Sequence, residues 1–219
     1  MTYETLFKLC QRQSGNKSAD ALIGFKDYLN LGQKDVAGSY DNWRELHKTG
    51  TLSLVDGTES YTLATDFSKF RSNVVILTSP TNNEKPIYRA PSNQFKEWNP
   101  VTSNDSKTIP EWWYEDPNDD TKVLFYPIPN TSYTVTYDYI ALSSDMSVTS
   151  DTPFFPARWH HILVDFAMSM HYESAAQRNY DAANYHLIKY TNGKKQLISD
   201  YKKRFIGQES TTYGTGVNE

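Results

Sequence analysis

The spacing of the hydrophobic residues changes twice along this 219-residue chain, and that change constrains the fold more than any single motif. From Met1 to about His47, and again from Phe155 to about Ile206, apolar residues recur every three or four positions, which indicates amphipathic helices. From Thr51 to Leu142, apolar and polar residues alternate, which indicates strands. The order predicts a β region inserted into a helical body.

We therefore expect an α+β fold: an antiparallel helical bundle with an inserted small antiparallel β-sandwich or open barrel. Residues 1–48 and 150–206 are expected to form one discontinuous helical body, and residues 49–149 the inserted β domain. Residues 207–219 show no periodicity and are predicted to be a C-terminal tail that is flexible or held by a partner.

The helical regions carry three specific predictions. A second helix is expected to begin near Ser18 and to contain three glycines, each costing up to ~1 kcal/mol relative to alanine: Gly24, Gly32 and Gly38. Packing that outweighs this cost is the favoured interpretation, and close helix–helix approach at the glycines is the alternative. In the last helix, Asn192–Gly193 predicts a bend or break. One face of that helix is expected to be its apolar side: Tyr180, Ala183, Leu187, Tyr190, Leu197, Tyr201 and Phe205.

Turn and strand signals alternate through the β region. Asp56–Gly57 stands between two alternating runs and predicts a β-hairpin with a type I′ turn, because both central residues of that turn need positive φ. The continuous apolar run Val74–Leu77 predicts a buried strand. Residues 99–109 are polar and irregular, which predicts an exposed loop.

Composition limits the function classes. The net charge of −4 argues against a general nucleic-acid coat, which would show a basic excess. The single cysteine, Cys10, rules out an internal disulfide and fits a reducing cytoplasm. The first residues lack the pattern of a secretory signal, and no run of about eighteen apolar residues predicts a membrane span. Sixteen Tyr, ten Phe and five Trp favour recognition or assembly, because Tyr and Trp are enriched in interfaces.

No catalytic, metal or cofactor site is predicted. His161 and Asp165 are four residues apart on one helix, but no HExxH motif or cysteine cluster completes a metal site. The acidic segment Asp116–Asp120 lacks the glycine and the terminal glutamate of a calcium loop, so a turn explains it better. Nucleophile-elbow, phosphate-loop and dinucleotide motifs are absent as well. The chain is therefore not predicted to be an enzyme.

Two groups of residues are candidate contact sites. The only concentration of positive charge comprises Lys194, Lys195, Lys202, Lys203 and Arg204, near the end of the last helix. These cations either complement the helix dipole or contact an acidic partner or DNA phosphates, and Tyr213 in the tail is a further candidate contact. The adjacent Trp112 and Trp113 point to opposite faces of a strand. They are expected in a core or β-domain interface, and the alternative is a sugar-stacking platform made by Trp98, Trp112, Trp113 and Tyr114.

Two segments together resemble the head-to-tail adaptor, or connector, proteins of tailed phages, particularly short-tailed ones (podoviruses). The first segment is Asp56–Leu63 followed by Asp66–Phe67, and the second runs from Ser150 to Asp165. The second contains four matching groups: Ser150–Pro153, Pro156, Arg158–His160 and Leu163–Asp165. The resemblance covers most of the chain, because a helical pair precedes the first segment and long helices follow the second.

The resemblance implies a structural virion protein at the head–tail neck, assembled in the host bacterial cytoplasm. It implies a homo-oligomeric ring, commonly a dodecamer, that docks beneath the portal protein and meets tail or nozzle proteins. Genomic DNA would pass through its channel without sequence recognition, and no membrane would be contacted. The residues leave two other functions open: a carbohydrate-binding module on a helical stalk, or a nucleic-acid-binding protein using the basic helix end.

Overall fold

The structure, a computed structural model, describes residues 1–15, 19–81, 83–90, 107–174 and 178–209. The chain divides into two compact units. The helical unit is drawn from Met1–Glu45 and Ser143–Glu219, and the β unit is Leu46–Leu142. The segment from residue 143 to residue 149, which the sequence pattern grouped with the strands, therefore belongs to the helical unit.

In its described residues the helical unit has four α-helices: α1 (Tyr3–Ser14), α2 (Ala19–Gly38), α3 (His161–Glu173) and α4 (Tyr180–Glu209). Helix α1 begins where the Thr2 hydroxyl accepts a hydrogen bond from the Thr5 amide at 3.3 Å. It ends at Gly15, whose φ of +65° is open to glycine at little cost. Short 3₁₀ turns at Arg44–Leu46 and Ala157–Trp159 complete the described helical segments.

Helix α3 is the centre of the helical unit. It packs against α1, α2 and α4, and its buried residues lie on every side rather than on one stripe. These residues are Ile162, Leu163, Val164, Asp165, Ala167, Met168, Ser169 and His171. A helix that is apolar nearly all round is stable only when other elements surround it, so α3 determines where the other three helices pack.

Two glycines allow α3 to approach its neighbours closely. A Cβ atom added at Gly32 of α2 would lie 2.9 Å from Cδ1 of Phe166, and one at Gly193 of α4 would lie 2.7 Å from Cγ2 of Ile162. The favoured interpretation of the α2 glycines is therefore wrong for Gly32, where the alternative of close approach applies. Close approach does not apply at the other two glycines, since a Cβ at Gly24 would contact only Tyr28 of its own helix and one at Gly38 would contact nothing.

The predicted break at Asn192–Gly193 is wrong, and the alternative of a bend stays a prediction. Helix α4 runs without interruption from Tyr180 to Glu209. Glycine lowers helix propensity, but here the close contact with Ile162 requires the missing side chain, and packing outweighs the intrinsic preference.

The β unit is one eight-stranded sheet. Its strands are β1 (His47–Leu54), β2 (Ser60–Thr62), β3 (Phe67–Phe70), β4 (Val74–Thr78), β5 (Glu84–Arg89), β6 (Trp112–Asp116), β7 (Asp119–Tyr126) and β8 (Tyr133–Ala141). The spatial order is β1-β8-β4-β5-β6-β7-β2, with β3 also paired to β8. Among these eight described strands, each pairing is antiparallel except that of β5 with β6, which is parallel.

The hairpin predicted at Asp56–Gly57 is wrong, although the turn exists. Gly57 has a φ of +75°, and its amide donates to the carbonyl of Pro129 at 2.9 Å. However, β1 pairs with β8 over all eight of its residues, and β2 pairs with β7. The turn therefore connects the first and last strands of the sheet order, and the long ladder with β8 replaces the short one that a hairpin would form.

One face of the sheet forms the core of the β unit. Fully buried side chains on that face include Leu77, Ile87, Trp113, Phe125 and Val135. The predicted burial of the whole run from residue 74 to residue 77 is wrong, because the side chains alternate and Ile76 is 36% exposed. Of the predicted loop at 99–109, only residues 107–109 lie in the described part, where Thr108 bridges Pro129.

Candidate functional site

The described residues hold no group of three or more His, Cys, Asp or Glu side chains that could bind a metal ion. His161 and Asp165 do not meet, since Nδ1 of His161 lies 3.0 Å from the Arg158 carbonyl. Oδ1 of Asp165 instead lies 2.9 Å from Nδ1 of His186 and 3.3 Å from Nζ of Lys189, both on α4. Sequence spacing missed the pair of Asp165 with His186 because its members lie on different helices, 21 residues apart.

The acidic segment between β6 and β7 is a turn. The amide of Asn118 donates to Oδ1 of Asp116 at 2.9 Å, and the amide of Thr121 donates to Oδ1 of Asp119 at 3.0 Å. These carboxylates thus accept hydrogen bonds from nearby backbone, as turn-forming aspartates do. No helix in the described part of the chain combines the length and apolarity that a membrane crossing requires.

The five residues of the basic cluster near the end of α4 do not share one environment. Lys194 is 21% exposed at its side chain, and its Nζ donates to Oδ2 of Asp35 at 2.6 Å. Lys195, Lys202, Lys203 and Arg204 are exposed, and the Lys202 ammonium lies 5.3 Å from the centre of the Tyr40 ring. Lys194 is therefore a structural contact between helices, and the other four supply the exposed charge. Tyr213 lies outside the described residues.

A shallow cleft of about 390 Å³ lies beside this basic end. Its walls are Arg158 and Trp159 from the 3₁₀ turn before α3, and Gln196, Ser199, Asp200 and Lys203 from α4. The guanidinium of Arg158 pairs with the carboxylate of Asp200, to which the Trp159 indole N–H also donates at 3.3 Å. Arg158 and Trp159 therefore connect the 3₁₀ turn before α3 to Asp200 of α4.

Polar contacts hold α2 and its following turn alongside α4. The Tyr190 hydroxyl donates to Asp35, and the Tyr201 hydroxyl accepts from the Arg44 amide at 2.7 Å and donates to Glu45 at 2.6 Å. Burial and the neighbouring carboxylate raise the pKa of both tyrosines, which are therefore protonated donors at neutral pH. These side-chain contacts join α2 and the turn after it to α4.

Two buried histidines have structural surroundings. Nε2 of His160 lies 2.7 Å from the Phe155 carbonyl, and its Nδ1 lies 2.9 Å from the Met1 amine. The His171 ring packs against the Phe25 ring at 4.7 Å. Burial lowers the pKa of both histidines, so they are neutral at pH 7.

The two tryptophans of β6 point in opposite directions. Trp113 is fully buried in the β core, beneath the Arg89 guanidinium at 5.7 Å from its ring. Trp112 is partly exposed on the other face, opposite Tyr88 and Tyr126. A flat platform of two adjacent indoles, which sugar stacking would use, is therefore not formed by this pair.

The helical unit exposes several large apolar side chains. Six large apolar side chains of α2 and α4 are exposed by 46–63%: Ile23, Leu31, Tyr180, Tyr185, Leu187 and Ile188. Tyr180 and Leu187 were expected on the buried side of the last helix. That expectation is wrong, because the neighbours of α4 cover only the side that carries Ala183, Tyr190, Leu197 and Tyr201.

Comparison with known proteins gives one family. No curated protein matches this sequence. The sequence profile of the family described as SU10 adaptor protein matches residues 1–215. This match covers both units and confirms the resemblance to phage head-to-tail adaptors drawn from the two segments of the sequence, though not the short-tailed type. The chain belongs to the SU10 adaptor protein family.

Proposed function

We propose that this chain is a structural virion protein that forms an adaptor ring between the portal and the tail and continues the DNA channel. The observation that carries the proposal is the family match over residues 1–215, which includes both the helical unit and the β unit. A match of this length applies to the whole architecture rather than to one shared motif. The adaptor family is structural rather than catalytic, which agrees with the structural surroundings of the titratable groups described above.

The partners proposed are those of a neck protein. Copies of the chain would contact each other in a ring, which we propose to be a dodecamer, and the ring would bind the portal protein and tail or nozzle proteins. The protein would assemble in the host bacterial cytoplasm and remain in the virion, in a phage proposed to be short-tailed. Genomic DNA would pass through the channel during ejection without its sequence being read.

The exposed charge at the end of α4 supports a second candidate function, nucleic-acid binding. Lys195, Lys202, Lys203 and Arg204 are exposed, and phosphates attract such cations without base recognition. A main function of this kind predicts an affinity that falls steeply with salt and with the substitutions Lys203→Glu and Arg204→Glu. The carbohydrate-binding alternative stays a prediction, since Trp113 is buried, Trp112 is partly exposed and Trp98 lies outside the described residues.

Capture of the portal protein tests the proposed function. The full chain, carrying an affinity tag, is mixed with the purified portal ring encoded by the same phage, and the bound fraction is measured at low and at physiological salt. We expect portal retention that survives physiological salt, because an adaptor contact buries protein surface rather than only exchanging counterions. Retention of DNA with no retention of the portal would favour the second candidate and refute the first.

A further inference from the structure

The cleft beside the end of α4 extends beyond the part described above. An adjoining space has Arg158, Trp159 and Asp200 as walls in common with it. The remaining walls of that space come from other parts of the helical unit: Glu45, Pro156, Leu197, Tyr201 and Arg204. Because they share three walls, the two spaces form one cleft, and both Lys203 and Arg204 of α4 line it. We call this combined space the basic cleft.

Two cations of the basic cleft are free to bind a partner. The carboxylate of Asp200 pairs with the Arg158 guanidinium, and that of Glu45 accepts a hydrogen bond from the hydroxyl of a buried tyrosine. Lys203 and Arg204 are exposed, and within the described part of the chain neither has an ion-pair partner. The carboxylates of the cleft are therefore already bonded, whereas its two outer cations are not.

Two further lysines continue the positive charge along α4. Ser199 lines the cleft, and it is four residues after Lys195 and three before Lys202, so these side chains lie on the same side of the helix. Both lysines are exposed. The helix rises 1.5 Å per residue, so the positive surface extends about 13 Å along α4, from Lys195 to Arg204.

The β unit carries the opposite charge at the turn between β6 and β7, which we call the acidic turn. Its six residues, 115–120, hold the densest group of carboxylates in the sequence: Glu115, Asp116, Asp119 and Asp120. Glu115 pairs with a cation of β5 and Asp119 with a cation of β7, each at 2.8 Å. Asp116 and Asp120 have no ion-pair partner among the described residues, so they supply the free negative charge.

The basic cleft and the acidic turn complement each other in charge and in form. The cleft has two free cations beside carboxylates that are already bonded, and the turn has two free carboxylates beside carboxylates that are already paired. Only Pro117 and Asn118 separate the strands at the tip of the turn, and the larger part of the cleft holds about 390 Å³. Phosphates of a nucleic acid fit less well, because they would also approach the carboxylates of Asp200 and Glu45.

We infer that the basic cleft of one copy of this chain binds the acidic turn of the next copy. The inference rests on the proposed ring for its choice of a second copy as the partner. A closed ring of more than two subunits uses head-to-tail contacts, which join two different surfaces of the same chain. Two clefts or two turns would repel each other, so the charges allow the contact in this head-to-tail sense alone.

Charge reversal on the full chain tests this contact from both sides. The turn variant carries Asp116→Lys and Asp120→Lys, and the cleft variant carries Lys203→Glu and Arg204→Glu. Each variant alone would place like charges against each other, so its self-association should weaken at least about tenfold. Sedimentation velocity at high concentration, with and without the purified portal ring, measures the association, and circular dichroism checks that both variants are folded.

An equimolar mixture of the two variants is the decisive sample. If the copies alternate, every reversed turn meets a reversed cleft and every original turn meets an original cleft, so all contacts attract again. The mixture should therefore associate close to the level of the wild-type chain. Asp27→Lys with Glu84→Lys is the matched control, because both carboxylates are exposed outside the two surfaces and the charge change equals that of the turn variant. This control should associate like the wild-type chain and should not restore the cleft variant.

The outcomes separate this inference from the proposed function. Restoration by the mixture supports the contact. Self-association that neither reversal weakens, a loss that the mixture does not restore, or portal binding without any association between copies would overturn the contact while the adaptor function stands. DNA binding that only the cleft variant loses, with self-association unchanged, would assign the cleft to a nucleic acid instead. A wild-type chain that neither associates nor binds the portal would overturn both proposals.

Discussion

The glycine at the contact between α3 and α4 gives the sharpest stability prediction. In Gly193→Ala the new Cβ would lie 2.7 Å from Cγ2 of Ile162, closer than real Cβ atoms approach other heavy atoms. Alanine favours the helix by about 1 kcal/mol, whereas overpacking a core costs about 1–3 kcal/mol. We therefore expect Gly193→Ala to lower the free energy of unfolding of the helical unit by about 1 kcal/mol.

Gly38 is the matched control. A Cβ at this last residue of α2 would meet nothing within 4 Å, and Gly38 is not among the glycines with positive φ. Gly38→Ala should therefore leave the helical unit as stable or stabilise it by up to about 1 kcal/mol. Urea unfolding followed by the helical circular dichroism signal measures both. For a slope of about 2 kcal/mol per molar urea, Gly193→Ala should lower the midpoint by roughly 0.5 M.

A double variant tests the cause. Ile162→Leu removes the Cγ2 methyl group that the new Cβ would meet and keeps the side-chain volume nearly constant. Combined with Gly193→Ala, it should lose at least about 0.5 kcal/mol less than the sum of the two single changes. A Gly193→Ala protein as stable as Gly38→Ala, with additive energies in the double variant, would refute the close approach of α3 and α4.

Three further predictions concern groups inside the helical unit. Burial raises the pKa of the Cys10 thiol to about 12, so this fully buried cysteine should stay unreactive toward a disulfide reagent at pH 8 in the folded protein and react completely in urea. Burial holds the pKa of His171 below its ordinary 6.5, so below about pH 6.5 the unfolded chain binds a proton that the folded chain does not. Stability should therefore fall as the pH drops through this range, and His171→Phe should reduce that loss in urea titrations at pH 7 and pH 5. Asp200→Asn weakens the pair with Arg158 and should lower stability by no more than about 1 kcal/mol, because both side chains are partly exposed; a loss that 1 M salt does not diminish would contradict an electrostatic cause.

Local periodicity predicted the type of most elements, because it depends only on residues near in sequence. The alternation in β8 shows this well: Tyr133, Val135, Tyr137 and Tyr139 are all buried, as one face of a strand requires. The same pattern does not predict which other strand pairs with a given strand in the sheet. The pairing of β1 with β8 joins residues about 85 positions apart in the sequence, so the local turn signal at Asp56–Gly57 suggested the wrong neighbour.

The contact surfaces were less predictable than the elements for a related reason. A helical repeat gives the apolar residues of α4, but it does not say which flank its neighbours cover. The sequence therefore predicted Tyr180 and Leu187 to be core residues, whereas both are exposed in the structure. The charge run at the end of α4 was likewise one group in sequence, although Lys194 turns inward to Asp35. Both distinctions depend on contacts between helices that are distant in sequence.

The mass of the complex with the portal tests the central claim most directly. The full chain and the purified portal ring of the same phage are mixed, and native mass spectrometry gives the number of 25.2 kDa chains bound to each portal. The adaptor account predicts one discrete complex in which a full ring of chains, twelve for the proposed dodecamer, binds each portal. A chain that remains free, or that binds in variable and unsaturated numbers, would contradict the account.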